Sequence, residues 1–319
     1  METHPNMSPA KPKIILDTDI GDDIDDAFAL LLMVESGHFD VLGVTTVFRN
    51  AQKRAKMASY LLESLKKDAK VYPGCDVPLI TTIEKVVSPE IRAKEKKDPD
   101  GKYHLPQYDE KMDGAKIEEK HAVDFIIESV HRYPHQVTLV PIGPYTNIAL
   151  AIRKDPSIVP LIKEIRIMGG GLNQNFSEWN VWCDPEAAYI LFTSGVKLST
   201  VGLNVTMQTA LDKSYIEEMK ASQSKPILLV YEMMMKWFEH YQFASPVMHD
   251  PLTIASLIDP NILTFEEKRL VVSLKESNYG FVLEDERSPH VASYASQINK
   301  TRFLDLFKKV IFGTAVSND

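Results

Sequence analysis

Between Asp17 and Asp26 the chain places six aspartates in ten residues, Asp17-Thr-Asp-Ile-Gly-Asp-Asp-Ile-Asp-Asp26. Carboxylates at this density repel one another unless a cation neutralises them. Donors that are all oxygen favour a hard ion. Calcium accepts about six to eight oxygens in flexible geometry, whereas magnesium keeps more of its own waters. The spacing is not that of an EF-hand loop, which closes on a glutamate at its twelfth position. The plain alternative is a solvated acidic turn at the start of a helix.

Four further segments carry polar groups that chemistry could use. Pro141-Ile-Gly-Pro-Tyr-Thr-Asn147 offers backbone carbonyls able to complete a metal shell. Met168-Gly-Gly-Gly171 lets the backbone approach a ligand closely, because glycine has no Cβ to hold it off. Glu178-Trp-Asn180 sets two hydrogen-bonding side chains around an aromatic ring, a suitable lining for a sugar. His249-Asp250-Pro251 puts an imidazole beside a carboxylate just before a helical pattern, where Asp250 could equally serve as an N-cap.

The elements that must position these residues alternate along the chain. Lys13 to Asp19 opens with a short apolar strand ending in carboxylates, and Ala27 to Val34 reads as a helix with Asp25 and Asp26 at its N-terminus. Strands are expected at Val41–Val47, Val137–Ile142, Glu164–Met168 and Lys197–Leu203. Helices are expected at Ala51–Leu65, His121–His131, from Tyr145 to Ile152 and at Pro185–Phe192. Continuous Val/Ile/Leu strands alternating with helices imply an α/β fold. The expected form is an open, mostly parallel β-sheet with helices on both faces, plus additional C-terminal helices and short strands. Those additions are helices from Lys225 to Glu239, from Pro251 and from Arg302, with β-like runs at Leu270–Leu274 and His290–Ala295. The aspartate run then falls at the carboxyl end of the first strand, where open α/β sheets bind their ligands. Ser88 to Glu119 breaks the rhythm, being highly charged and without a sustained period; it reads as a lid or as a disordered insertion.

Size and composition narrow the classes. With 319 residues and 44% hydrophobic content the chain can bury a large core, and residues 13–319 read as a single domain behind a flexible tail, Met1 to Pro12. That tail has no apolar stretch of signal-peptide type, and no run of apolar residues is long enough to span a bilayer, so a cytoplasmic protein without a membrane partner is expected. A net charge of −8 without a basic block disfavours a nucleic-acid polymer as partner. The two cysteines, Cys75 and Cys183, form neither a metal-ligand spacing nor a disulfide framework.

Taken together, these motifs resemble the nucleoside hydrolase family of the inosine–uridine-preferring type. The likeness also takes in Thr45-Thr-Val-Phe-Arg-Asn50, Val140-Pro-Ile-Gly-Pro-Tyr-Thr-Asn-Ile-Ala149 and Asp184-Pro-Glu-Ala-Ala188, and runs from Ile14 to the terminal helix. It implies calcium-dependent hydrolysis of the N-glycosidic bond of ribonucleosides, with a nucleoside as small-molecule substrate and a homodimer or homotetramer as assembly. Residue by residue it implies Ca²⁺ ligation by Asp19, Asp26, Asp250 and the carbonyl of Ile142. Asp19 would also take a proton from the attacking water. Asp25 would meet the ribose 2′-hydroxyl, Asn50, Asn175, Glu178 and Asn180 the remaining sugar hydroxyls, and Met168 would pack beside the ribose. The commoner motif is Asp-x-Asp-x-Gly-x-Asp-Asp, and this chain carries two extra residues before Asp25-Asp26. Asp23 is therefore a rival for the role given to Asp25, as Asn173 is for Asn175.

A glycosidic bond breaks through a cation-like ribosyl transition state, which surrounding carboxylates stabilise. The departing base benefits from an acid, and His249 is the candidate, as an imidazole titrates near neutrality. His240 and Tyr241 are expected on the same side of the pocket. Trp179 and Trp237 could stack on the base, although Trp237 fits ordinary core packing equally well. Two rival readings remain: a haloacid-dehalogenase-type phosphatase, which also begins with strand–Asp-x-Asp, and a non-catalytic calcium-dependent nucleoside- or sugar-binding protein.

Overall fold

The structure, a computed structural model, describes residues 10–80, 95–172 and 174–313. Its centre is β1 (Lys13–Thr18), whose Ile14 to Thr18 are all buried. β1 lies between β2 (Asp40–Thr46) and β4 (Val137–Pro141) and is parallel to both. β3 (Val71–Pro73), β5 (Glu164–Met168) and β6 (Leu198–Val201) extend the sheet outwards in parallel. Two later strands finish it: β10 (Ala292–Ile298) joins β6 in parallel, and β7 (Leu263–Lys268) closes the edge antiparallel to β10. The order of the eight-stranded sheet is β3-β2-β1-β4-β5-β6-β10-β7, so the mostly parallel architecture expected from the alternation is present.

Helices cover both faces. α1 (Asp25–Glu35) follows β1 and is buried from Asp25 to Val34, because α10 (His249–Ile258) and α11 (Lys300–Phe312) pack over it. A helix apolar on all sides needs such cover. α2 (Ala51–Ser64) follows β2, α3 (Ala122–Arg132) precedes β4, and α4 (Thr146–Lys154) follows it. α5 (Trp179–Cys183) and α6 (Pro185–Phe192) connect β5 to β6. After β6 come α7 (Leu203–Thr206), α8 (Lys213–Ala221) and α9 (Lys225–Tyr241). No helix among the described residues is long and apolar enough to cross a membrane.

Where the elements differ from expectation, the reason is local. β7 reads Leu-Thr-Phe-Glu-Glu-Lys and is largely solvated at the sheet edge, so it lacks an apolar signal. The Leu270 run becomes β8 (Leu270–Val272), which pairs with β9 (Val282–Glu284) in a separate two-stranded sheet. α10 begins at His249 and not at Pro251. Asp250 thus lies in its first turn and is not its N-cap, a position taken by Met248. Of the expected tail, residues 1–9 lie outside the described residues, as do 81–94 of the region that includes the irregular Ser88–Glu119 segment. The described remainder of that segment folds back on the aspartate loop: Leu105, Gln107 and Met112 are buried, and a short 3₁₀ turn spans Glu110–Met112.

Candidate active site

The aspartate run leaves the carboxyl end of β1, and its members divide by role. Asp17 is still within the strand and fully buried. Its Oδ1 accepts from the Thr45 hydroxyl (2.6 Å) and from Asn147 Nδ2 (2.8 Å), while burial pushes its carboxyl up to about 6. It therefore ties β1 to β2 and α4. Asn147 continues the tie, donating to the Thr46 carbonyl (3.0 Å) and accepting from the Cys75 amide (3.0 Å).

Beyond the strand, Asp25, Asp26 and Asp250 each bring a carboxylate oxygen within 4.8 Å of the others, all three buried. Asp25 and Asp26 begin α1, and Asp250 lies in the first turn of α10, so two positively polarised helix ends meet the cluster. The Asp250 amide donates to Asp25 Oδ2 (3.0 Å), and the Thr18 hydroxyl to Asp26 Oδ1 (2.5 Å). Burial first, then repulsion from neighbouring aspartates (Asp23 and Asp19 on Asp25, Asp19 and Asp25 on Asp26, Asp25 and Asp26 on Asp250), raises all three carboxyls well above the ordinary range. Asp19 acts on each of the three electrostatically and is itself 5% exposed, raised to about 7 by burial and held down by Arg54. Space for it depends on Gly143, where a Cβ would come within 2.6 Å of Asp19 Oδ1. Asp23 is half-buried, with Oδ1 accepting from the Ile24 amide (2.7 Å).

The sugar-binding candidates line up on neighbouring strand ends. The Ile142 carbonyl follows β4 and accepts from Asn180 Nδ2 (2.8 Å), which leaves its second lone pair free of that bond. Asn180 Nδ2 also reaches the Met168 carbonyl (3.3 Å), to which Tyr145 donates at 2.9 Å. Glu178 caps α5 and accepts from the amides of Gly170 (3.0 Å), Asn180 (2.9 Å) and Val181 (3.2 Å). Even so, burial lifts its carboxyl to about 7. Gly169 is required by contact as well as by its φ of 154°, since a Cβ there would meet the Tyr145 hydroxyl at 1.8 Å. Asn50 is buried, and it ends three consecutive left-handed residues, Phe48 (φ 67°), Arg49 (41°) and Asn50 (73°). Such backbone persists in non-glycine residues only where its surroundings hold it. Here the Phe48 and Arg49 amides donate to the carbonyls of Cys75 (2.7 Å) and Asp76 (2.8 Å).

The remaining expected residues are less enclosed. His249 is half-buried with Nδ1 2.7 Å from Thr206 Oγ1, and burial lowers its pKa to about 4. Burial thus shifts this imidazole away from the ordinary near-neutral titration expected of it and favours the neutral ring. Trp237, on the buried side of α9, is 2% exposed and packs in the hydrophobic core. Trp179 is 41% exposed, while His240 is exposed with its ring against Tyr241. Asn175 is exposed, and its rival Asn173 lies outside the described residues.

Sequence reasoning missed the groups that hold the loop. Arg54 is fully buried, with Nη2 2.7 Å from Asp22 Oδ2. Tyr103 donates its hydroxyl to Asp22 Oδ1 (2.8 Å). Arg54 could have been found, because it sits on the otherwise apolar face of α2 with Ala55, Met57, Ala58, Leu61 and Leu62. No sequence signal marks Tyr103.

A sheet-end cluster of buried carboxylates flanked by sugar-type polar groups defines a hydrolase site for a polyhydroxylated substrate. The model of the inosine-uridine preferring nucleoside hydrolase family matches residues 14–305, and the chain belongs to that family. It is 32% identical over 305 residues to the inosine-uridine preferring nucleoside hydrolase of Crithidia fasciculata, covering 90% of this chain and 91% of that protein. It is 33% identical over 287 residues to a pyrimidine-specific ribonucleoside hydrolase of Escherichia coli, covering 86% of this chain and 88% of the relative. Among solved structures it resembles a purine-preferring ribonucleoside hydrolase from Gardnerella vaginalis, with TM-score 0.80 and 28% identity over 94% of this chain and 98% of that one. The protein is thus an enzyme, a nucleoside hydrolase acting on the N-glycosidic bond of ribonucleosides.

Proposed function

We propose that the hydrolysis depends on Ca²⁺ held by Asp19, Asp26, Asp250 and the Ile142 carbonyl. The observation that carries this is the convergence of Asp25, Asp26 and Asp250 within 4.8 Å, buried and beside Asp19. Buried carboxylates that raise one another's pKa are costly without a cation, and an all-oxygen donor set suits a hard one. When bound, the ion supplies Lewis acidity that activates and orients water and the ribose diol. Asp19 takes the proton of the attacking water. Asp25 accepts from the 2′-hydroxyl, with Asp23 the alternative, while Asn50, Glu178 and Asn180 hold the other hydroxyls and Met168 packs beside the ring. Asn175 would join them in holding the sugar hydroxyls.

As the bond to the base lengthens, positive charge grows on the ribose, and the fixed carboxylates around it stabilise that charge. His249 assists the base. With the Thr206 hydroxyl donating to Nδ1, the neutral ring carries its proton on Nε2 and donates a hydrogen bond from it to the departing base, without transferring the proton. Trp179 and His240 border the base from the exposed side.

A reducing-sugar assay over inosine, uridine, cytidine and adenosine tests this reading. Ribose release from at least one of them supports it. Turnover confined to phosphate release from phosphate esters would favour a phosphatase, and tight binding without turnover a binding protein.

A further inference from the structure

We propose that Asp22, in the three-residue stretch Asp22-Asp-Ile24 that stands where the commoner motif has one residue, is the joint through which α2 and the segment 95–112 hold the aspartate loop in its metal-binding shape. The proposal rests on the metal reading above. Both carboxylate oxygens of Asp22 are engaged, Oδ2 by Arg54 Nη2 (2.7 Å) and Oδ1 by the Tyr103 hydroxyl (2.8 Å), so Asp22 is a partner of protein groups and not a ligand. Arg54 reaches further along the same loop. Its guanidinium donates to the carbonyls of Asp19 and Ile20 (3.0 Å to the latter), and its Nε to the carbonyl of Phe48 (2.5 Å). One buried fork thus grips the backbone of Asp19, of the residue after it, and of the left-handed turn that presents Asn50.

The covering segment grips the loop from a second direction. Gln107, fully buried, donates Nε2 to the carbonyls of Asp22 (3.0 Å) and Asp23 (2.8 Å). The Tyr103 ring lies 3.6 Å from the Arg49 guanidinium, and its carbonyl accepts from Asn50 Nδ2 (3.1 Å). Six aspartates in ten residues would otherwise spread apart in the absence of a cation. Held in place by Arg54, Tyr103 and Gln107, the loop needs little ordering when an ion arrives, and preorganisation of this kind raises affinity. Asp22, Arg54 and Tyr103 are positioning residues: they act through Asp19 and Asn50.

Calorimetric titration of calcium into the chelator-stripped full chain tests the proposal, because it reads the loop without turnover. Tyr103→Phe removes one hydroxyl and keeps the ring beneath Arg49. It should weaken calcium binding about tenfold, and Arg54→Lys, which keeps charge but loses the fork, at least as much. Lys53→Met is the control. It removes an ion pair to Asp98 that anchors the same segment without touching Asp22, and calcium affinity should stay at the wild-type value. Weakening by less than about threefold in Tyr103→Phe, or an equal loss in Lys53→Met, would overturn the joint. Should Arg54→Lys fail to fold, the Tyr103→Phe and Lys53→Met pair still decides. Wild-type chain that takes up no calcium would instead overturn the metal reading, and this proposal with it.

Discussion

The deep half of the site and its rim are built differently. Asp19, Asp25, Asp26, Asn50, Glu178, Asn180 and Asp250 are all buried, on strand ends and first helical turns, and most have their geometry fixed by a bond to backbone or to a neighbouring element. Of the residues proposed for the rim, His240 and Trp179 are exposed, and the His240 ring lies against Tyr241, which in turn stacks on Phe243 with centroids 5.6 Å apart. Groups that must meet developing charge gain from being rigid and dry. Groups that choose among flat bases can be held loosely, since stacking tolerates change. The relatives' names record inosine–uridine, pyrimidine-specific and purine-preferring activities.

If the contrast is real, the largest effect should come from the deep half. Asp19→Asn is expected to abolish measurable ribose release while the circular dichroism spectrum stays that of wild type. A near-normal rate in a preparation free of other hydrolases would remove Asp19 from the chemistry. Substrate changes should follow the same division. A site built around the 2′-hydroxyl should disfavour 2′-deoxyuridine against uridine by about 10⁴-fold in kcat/KM. Comparable values for the two nucleosides would show that Asp25 and its neighbours do not read the diol.

His249 stands at the boundary between the halves. His249→Ala should slow inosine by about 10²-fold, as the departing purine loses its Nε2–H donor, yet hardly affect p-nitrophenyl riboside, whose leaving group departs without such help. Equal losses on both would make His249 a positioning group for Asp250. The smallest effect belongs to the rim. His240→Ala should alter the inosine-to-uridine ratio by less than about tenfold and leave p-nitrophenyl riboside unchanged. A loss shared by all three substrates would place His240 in the deep half.

The same division governs what could be read from the chain. β5 and α6 have the bounds that their apolar patterns imply, and the aspartate run announces itself because so many like charges have no neutral explanation. β7 was hidden by its Glu-Glu-Lys edge, whose polarity resembles a loop. The contacts of Asp22 with Arg54 and Tyr103 span 32 and 81 positions, separations that no local pattern encodes. Nor does sequence report burial around a single histidine, so the lowered pKa of His249 emerged only from the fold.

The central claim is that the buried carboxylates serve ribose chemistry by holding a calcium ion. Ribose release from inosine and uridine should be followed in the stripped enzyme, with chelator present, and again after calcium is returned. Turnover should vanish on stripping and return with calcium at a rate that saturates with the ion. Full turnover in the continued presence of chelator would contradict the account.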